Sequence, residues 1–502
     1  MGLIGIMKLL YDTNILIYIQ DPKELSPNLQ ALLTIVREHG HQEFIHPASL
    51  KDIENDSNAE RRKITLSKLH GYPLLPSPPS PDDEFTSIVG VPLNSHDEND
   101  NEILFSLKKN LVDFLITEDQ GIGKKANLLN LDDRVFSIEA ALNYFTTLYK
   151  RFSPTHSLLR KCYAHEVDIN QPFFDSLKSE YGDEKFKVWF DKCILESREC
   201  YIYEIESKIK AFLMLKDENE VIELNSSSIL AAERVKIATL KVDLPGSKIG
   251  ELFLKIAFQY CINNRIFEIY LTHFETEDDP LVRLIENFGF ERVGELAKNN
   301  EAVYFKRFIP ETTVLQSLEI ARKYYPCFKD NESVNKFVIP ILPEYHDILF
   351  PEYKRRQMKL TDYFEVNIPG NAINKAYLSS RFSSRLKIGD IILFYRSKDQ
   401  KAITSLGIID QEPIRTNNLD ELKRIVGKRS VYSEEELKTW ADKSVFVIRF
   451  KHHLYLPNPL NLNYFIENGI LKGAPQSITK INHEQYLTLK NGGKLDKRFT
   501  VN

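Results

Sequence analysis

Cysteine is scarce. Cys162, Cys193, Cys200, Cys261 and Cys327 are the five in 502 residues, and no two form a CxxC pair. An odd, scattered set argues against a disulfide framework and a zinc knuckle, and fits a reducing cytoplasm. Long apolar runs are missing too: none approaches the roughly 20 residues a helix needs to span a bilayer. The opening residues, MGLIGIMK, hold no basic stretch and no small-residue cleavage site, so no secretory signal is expected. Strong charge of one sign is also absent, with a net of −5. What remains is 42% hydrophobic and 27% charged residues, the composition of a soluble globular protein.

The small net charge hides an asymmetry. Residues 1–150 carry 14 Lys+Arg against 22 Asp+Glu, residues 151–330 carry 25 against 30, and residues 331–502 carry 27 against 19. An acidic front and a basic rear suit a metal site coupled to a polyanion-binding module. At roughly 150 residues per domain, three domains are expected, at 1–150, 151–330 and 331–502.

In the first third, residues 8–18 (KLLYDTNILIY) read as a buried strand ending at Asp12, followed by a helix start. Residues 25–38 have helical spacing, 43–47 read as a second strand, and 48–55 start a helix carrying Asp52. The Pro/Ser run at 73–83 reads as a mobile flap. Residues 94–109 begin acidic, with Asp97 and Asp100, and become an amphipathic helix. Residues 112–117 (VDFLIT) form a strand that ends at Glu118 and Asp119. Strand–helix alternation implies a parallel sheet with its strand ends on one edge, where ligands bind. Carboxylates gathered there call for a hard divalent cation such as Mg²⁺ or Mn²⁺. This pattern resembles the PIN-domain ribonucleases. The resemblance implies Asp12, Asp52, Asp100 and Asp119 as catalytic metal ligands, with Asp97 as an alternative to Asp100, and Glu54 or Asp56 as alternatives to Asp52. Thr13, Asn14 and Thr117 would be supporting hydrogen bonders.

The middle third reads as helical and polar text to about residue 175. Then come three strands, a tight turn, a helix, a strand, a helix, a Gly-aromatic turn and a last strand. FGFERVGE (residues 288–295) and LKVDLPGSKIGELFLK (residues 240–255) resemble the GNAT acyltransferases. The resemblance implies a pyrophosphate cradle for acetyl-CoA at Gly246, Ser247, Lys248, Ile249 and Gly250, resting on the anion preference of exposed N–H groups at a helix start. Two departures stand out: the turn reads Pro245-Gly246-Ser247-Lys248-Ile249-Gly250, without the family's Gln/Arg and first Gly. Ile285 also occupies the place where many members carry a catalytic Tyr.

The last third is strand-rich. KIGDIILFYRS followed by SLGIID resembles the PUA-like superfamily, in its ASCH and EVE branches, which implies a small β-barrel with helices. Lys354, Arg355, Arg356, Arg381, Arg385 and Lys387 interleave with Tyr353, Phe382 and Tyr395, as phosphate contact with base stacking requires.

The expected whole is an α/β multidomain protein: a PIN-like parallel sheet, a GNAT-like domain and a PUA-like barrel. The expected function is a metal-dependent RNA endonuclease of the toxin, defence or RNA-processing type. The alternative is an N-acetyltransferase acting on RNA, aminoacyl-tRNA or protein, with the PIN-like part as scaffold. A non-catalytic regulator is the third reading. Expected partners are nucleic acid, RNA before DNA, and an antitoxin or regulatory protein.

Overall fold

Leu9, Leu10 and Tyr11 are fully buried, because strand β1 (Lys8–Tyr11) lies inside a sheet covered on both faces. The computed structural model describes residues 6–20, 27–54, 62, 72–149, 157–205, 208–243, 248–276, 279–311, 314–353, 363–365, 372–383 and 385–501. It is a mixed α/β arrangement with several sheets.

In the first sheet β1 pairs in parallel with β2 (Gln42–Ile45) on one side and β3 (Phe114–Ile116) on the other, and β4 (Val135–Phe136) follows β3. The order β2-β1-β3-β4 reverses direction at β1. The carboxyl ends of β1 and β3 therefore flank a topological switch point, where open parallel sheets bind ligands. Asp12 and Thr117 follow those two ends. The Pro/Ser run is not a free flap: Ile45 N donates to Pro73 O (3.1 Å) and Leu75 N to Ile45 O (2.8 Å), so it is stitched along the edge of β2. An edge is the one place in a sheet that tolerates proline.

The middle sheet has eight strands in the order β12-β13-β11-β10-β7-β6-β5-β16. They are β5 (Ser157–Tyr163), β6 (Glu199–Ile205), β7 (Lys208–Glu218), β10 (Arg234–Val242), β11 (Glu268–His273), β12 (Glu291–Glu295), β13 (Ala302–Arg307) and β16 (Tyr363–Glu365), with a hairpin of β8 (Ile222–Glu223) and β9 (Ser228–Ile229) beside it. β5 corrects the helical reading of that stretch: it pairs antiparallel with β6 from Ser157 to Tyr163. β16 comes from the last third of the chain and adds itself to β5. Gly289 makes the turn into β12 with φ +82°, and a Cβ there would lie 1.9 Å from the Lys323 carbonyl oxygen.

The last sheet runs β17-β21-β19-β18-β15-β22, with β20 also on β21. These are β15 (Lys336–Ile341), β17 (Asn374–Ser379), β18 (Ile391–Arg396), β19 (Ala402–Ile409), β20 (Ile414–Thr416), β21 (Val445–Asn461) and β22 (Thr479–Ile481). β14 (Phe328–Lys329) and β23 (Thr500–Val501) form a separate parallel pair. Among the described residues nothing pairs β17 with β22, so the expected barrel is not seen closed there. One apolar core joins Leu9, Tyr11 and Phe114 of the first region to Ala376, Leu422 and Val447 of the last. Among the described residues no helix is long and apolar enough to cross a membrane.

Candidate functional site

Two places gather chemistry. The first is the switch point. Asp12 is 3% exposed, and its backbone N–H donates to Ile116 O at 3.0 Å, which holds it against the end of β3. Its Oδ1 accepts from Thr13 N (2.6 Å) and its Oδ2 from Thr117 Oγ1 (2.6 Å). The Thr117 hydroxyl in turn accepts from Asn14 Nδ2 (3.2 Å) and Asp119 N (2.8 Å). Asn14 and Thr117 thus support the edge through their side chains. Thr13 serves through its backbone, and among the described residues its buried hydroxyl has no partner. Asp119 caps helix Gln120–Leu128 by accepting from Ile122 N at 2.9 Å.

Asp52 on helix Pro47–Glu54 and Asp100 on helix Ser95–Lys108 complete the group. Asp52 accepts from Asn99 Nδ2 (2.6 Å) and stands 2.9 Å from His96 Nδ1. Burial pushes the Asp12 carboxyl up to about 6 against its hydrogen bonds, with repulsion from Asp119 and Asp52 added. Burial, then Asp12 and Asp119, push Asp100 up to about 8, with Lys125 opposing. The four acids therefore share one electrostatic field. Asp97 does not join them: its carboxylate is taken by Lys125 and by Leu93 N (2.9 Å). Glu54 is exposed at its helix end, and Asp56 lies outside the described residues. Hard oxygen donors with uncompensated charge fit a divalent cation in chemistry. As placed, no three His, Cys, Asp or Glu among the described residues come close enough to hold one.

The second place is a parting of strands. β10 pairs in parallel with β11 only over Val235–Ile269, Lys236–Tyr270 and Ile237–Leu271. The register of β10 then shifts between Ile237 and Thr239, while β11 continues along β13 to His273. Beyond that point β10 and β11 separate, and a cavity opens on each side. The larger, about 1040 Å³, is lined by Trp189, Ala238, Thr239, Tyr270 and His273. The smaller, about 510 Å³, is lined by Lys248, Gly250, Arg283 and Lys428. Leu240, Val242, Pro280 and Leu281 line both, so the two cavities share a wall at the gap. Thr117, Asp119 and Gln120 wall the smaller cavity on its far side, which sets the acid edge next to it.

Helix Ile249–Asn264 starts at that smaller cavity with no side-chain cap. Lys248 reaches Asn374 O at 3.3 Å. Ile249 is fully buried, so only its backbone can face a ligand, and Gly246 and Ser247 lie outside the described residues. Lys428 stands 5.1 Å over the Phe136 ring, and burial lowers its ammonium to about 8. Arg283 Nη1 donates to Gln120 O at 3.4 Å. Sequence reasoning missed Arg283 and Lys428, which come from separate elements and carry no motif.

On the last region Arg381, Arg385 and Lys387 are exposed and Phe382 is 53% exposed, with Arg415 5.7 Å over the Phe382 ring. Tyr353 (3% exposed) and Tyr395 (1%) belong to the core, so neither can stack on a base. Lys354, Arg355 and Arg356 lie outside the described residues.

No protein-family model and no curated protein matches the sequence. Among solved structures the chain is similar to ASCH from Zymomonas mobilis, at 14% identity over 31% of this chain and 94% of that one, TM-score 0.24. It is also similar to the PaiA N-acetyltransferase from Thermoplasma acidophilum in complex with coenzyme A, at 16% identity over 27% and 77%, TM-score 0.20. A third is ElaA of Escherichia coli, at 14% identity over 29% and 97%, TM-score 0.21. These are partial likenesses to ASCH and GNAT acetyltransferase folds.

Proposed function

We propose that this chain is an acyl-CoA-dependent N-acyltransferase whose transfer site is the gap between β10 and β11. The observation that carries this reading is the pair of cavities on the two sides of Leu240, Val242, Pro280 and Leu281, which line both. A two-substrate transfer needs such a passage. The donor's anionic end rests on one side, its reactive end passes between the strands, and the acceptor waits on the other side. The smaller cavity offers an uncapped helix start with Lys248, Arg283 and Lys428, and exposed helix amides favour phosphate. Acyl-CoA supplies an activated thioester as donor substrate. The exposed Arg381, Phe382, Arg385 and Lys387 suit an RNA partner, for which cations and an accessible ring are the needed groups. The test is to incubate the full chain with acetyl-CoA and a panel of primary amines and follow thiol release. Amine-dependent release is expected. No release, together with no heat on titration with coenzyme A, contradicts the reading.

A second reading rests on the acid edge. Burial and the neighbouring carboxylates push Asp12 and Asp100 up there, and a divalent cation is the species that relieves such crowding. Asp12, Asp52, Asp100 and Asp119 would hold it, and it would supply activation of water toward a phosphodiester. Calorimetric titration with Mn²⁺ tests this: binding to the wild type that is lost in Asp12→Asn supports it, and no binding removes it.

A further inference from the structure

We propose that His273 is the proton acceptor for a primary amine bound in the larger cavity, with Asp279 as its positioning residue. The proposal deepens the transferase reading and rests on it. His273 is the last residue of β11, where β10 has already left, and it lines the larger cavity. Its Nε2 lies 2.6 Å from Asp279 Oδ2. Asp279 is itself fixed: it caps helix Pro280–Glu286, Oδ1 accepting from Leu281 N (2.9 Å) and Val282 N (3.3 Å), and Oδ2 accepting also from Thr276 Oγ1 (3.1 Å) and Thr276 N (3.4 Å). A carboxylate held this way keeps the imidazole proton on Nε2, which leaves the Nδ1 lone pair as the base. Among the described residues Nδ1 has no hydrogen-bond partner.

The pair stands at the passage, since Pro280 and Leu281, which wall both cavities, follow Asp279 directly. The Tyr270 hydroxyl, in the same cavity, is bound to Glu218. The charged groups that act most strongly on His273 are acidic: Asp279 and Glu275 from the chain just after β11, and Glu180 from helix Asp175–Tyr181, with Glu301 beside Glu180; Lys236, Lys241 and Lys298 line the same cavity.

In the step, His273 Nδ1 takes one proton from R–NH₃⁺. The freed nitrogen lone pair bonds to the thioester carbonyl carbon. The C–S bond breaks, and its electron pair leaves on sulfur. A second proton from the nitrogen goes to that thiolate, and His273 returns the first to solvent. The sum is R–NH₃⁺ plus acyl–S–CoA giving R–NH–acyl, HS–CoA and H⁺.

The neighbouring acids, with the Asp279 hydrogen bond first among them, raise the His273 pKa above its ordinary value, against burial. The rate is therefore suppressed below that pKa and rises with pH through it. The experiment follows thiol release from acetyl-CoA with spermidine, a lysine peptide and puromycin as probes, across pH 6 to 10, beside calorimetric titration with coenzyme A. His273→Asn is expected to lower kcat by about 100-fold and remove the inflection, with coenzyme A binding unchanged. Asp279→Asn keeps a good helix cap, so it tests position rather than folding, and moves the inflection to lower pH. Wild-type rates and pH profile in His273→Asn overturn the proposal while leaving the transferase reading in place. Coenzyme A binding with no probe amine acylated also overturns it. No coenzyme A binding by the wild type overturns the transferase reading itself, and the proposal with it.

Discussion

The acid edge of the first sheet and the strand gap of the middle sheet are both places where parallel strands stop pairing, yet they are built from opposite materials. At the edge the chemistry sits in side chains: Asp12, Thr117 and Asp119 follow strand ends and interlock within 2.6–2.9 Å. At the gap the backbone makes the site. A register shift after Ile237 parts β10 from β11, and the walls are ordinary residues such as Ala238 and Leu240. A site built of side chains is crowded and titrates. A site built of backbone is roomy and depends on the geometry that holds it open.

That contrast can be broken by substitution. The largest effect is expected at Gly289, which carries the turn into β12. In Gly289→Ala the new Cβ meets a backbone oxygen that cannot swing away, at a φ that L-residues rarely adopt. A loss of about 3 kcal/mol or more is expected in denaturant unfolding. A change within 0.5 kcal/mol would mean that the turn yields and does not hold the gap's geometry.

Next comes the edge. Asp12 and Asp100 keep their protons more tightly in the fold than in the unfolded chain. That contribution to stability is fully present below the ordinary carboxylate range and is lost as pH rises through about 6 for Asp12 and about 8 for Asp100. Asp100→Asn is therefore expected to raise the thermal midpoint at pH 8 by about 2–4 °C, and by less at pH 5. An equal rise at both pH values would remove the repulsion argument.

Where the two regions meet, Gly123 lies against the Arg283 guanidinium, and a Cβ there would stand 1.7 Å from Nη1. Gly123→Ala should displace Arg283 and weaken coenzyme A binding by about 10-fold, the loss of one charged contact. Unchanged binding would separate the edge from the donor cavity. The smallest effect concerns the basic face of the last region. Arg381→Ala combined with Arg385→Ala is expected to lower the salt slope of RNA binding by about 2, read from filter binding over a salt series. An unaltered slope would place RNA elsewhere.

The same contrast explains what was legible in the sequence. Strand residues followed by Asp12 and by Thr117–Asp119 announce themselves, because a polar group at the end of an apolar run has few local roles. The choice between Asp97 and Asp100 was not readable, since it turns on Lys125 of another helix. Tyr353 and Tyr395 carry the same letters as a stacking residue, and only packing shows that they are core. β5 was hidden in polar text because its partner β6 lies 38 residues on, at Cys162–Cys200. The His273–Asp279 pair spans six residues, but its meaning depends on where β10 departs, which no local pattern records.

The central claim is that the gap between β10 and β11 is the passage for an acyl donor. Calorimetric titration of the full chain with coenzyme A, wild type beside Leu281→Trp, tests it most directly, because Leu281 lines both cavities and an indole there would plug the gap. One site is expected on the wild type, and weakened or lost binding in Leu281→Trp, with the thermal midpoint retained. Equal binding by both proteins, or none by the wild type, would contradict it.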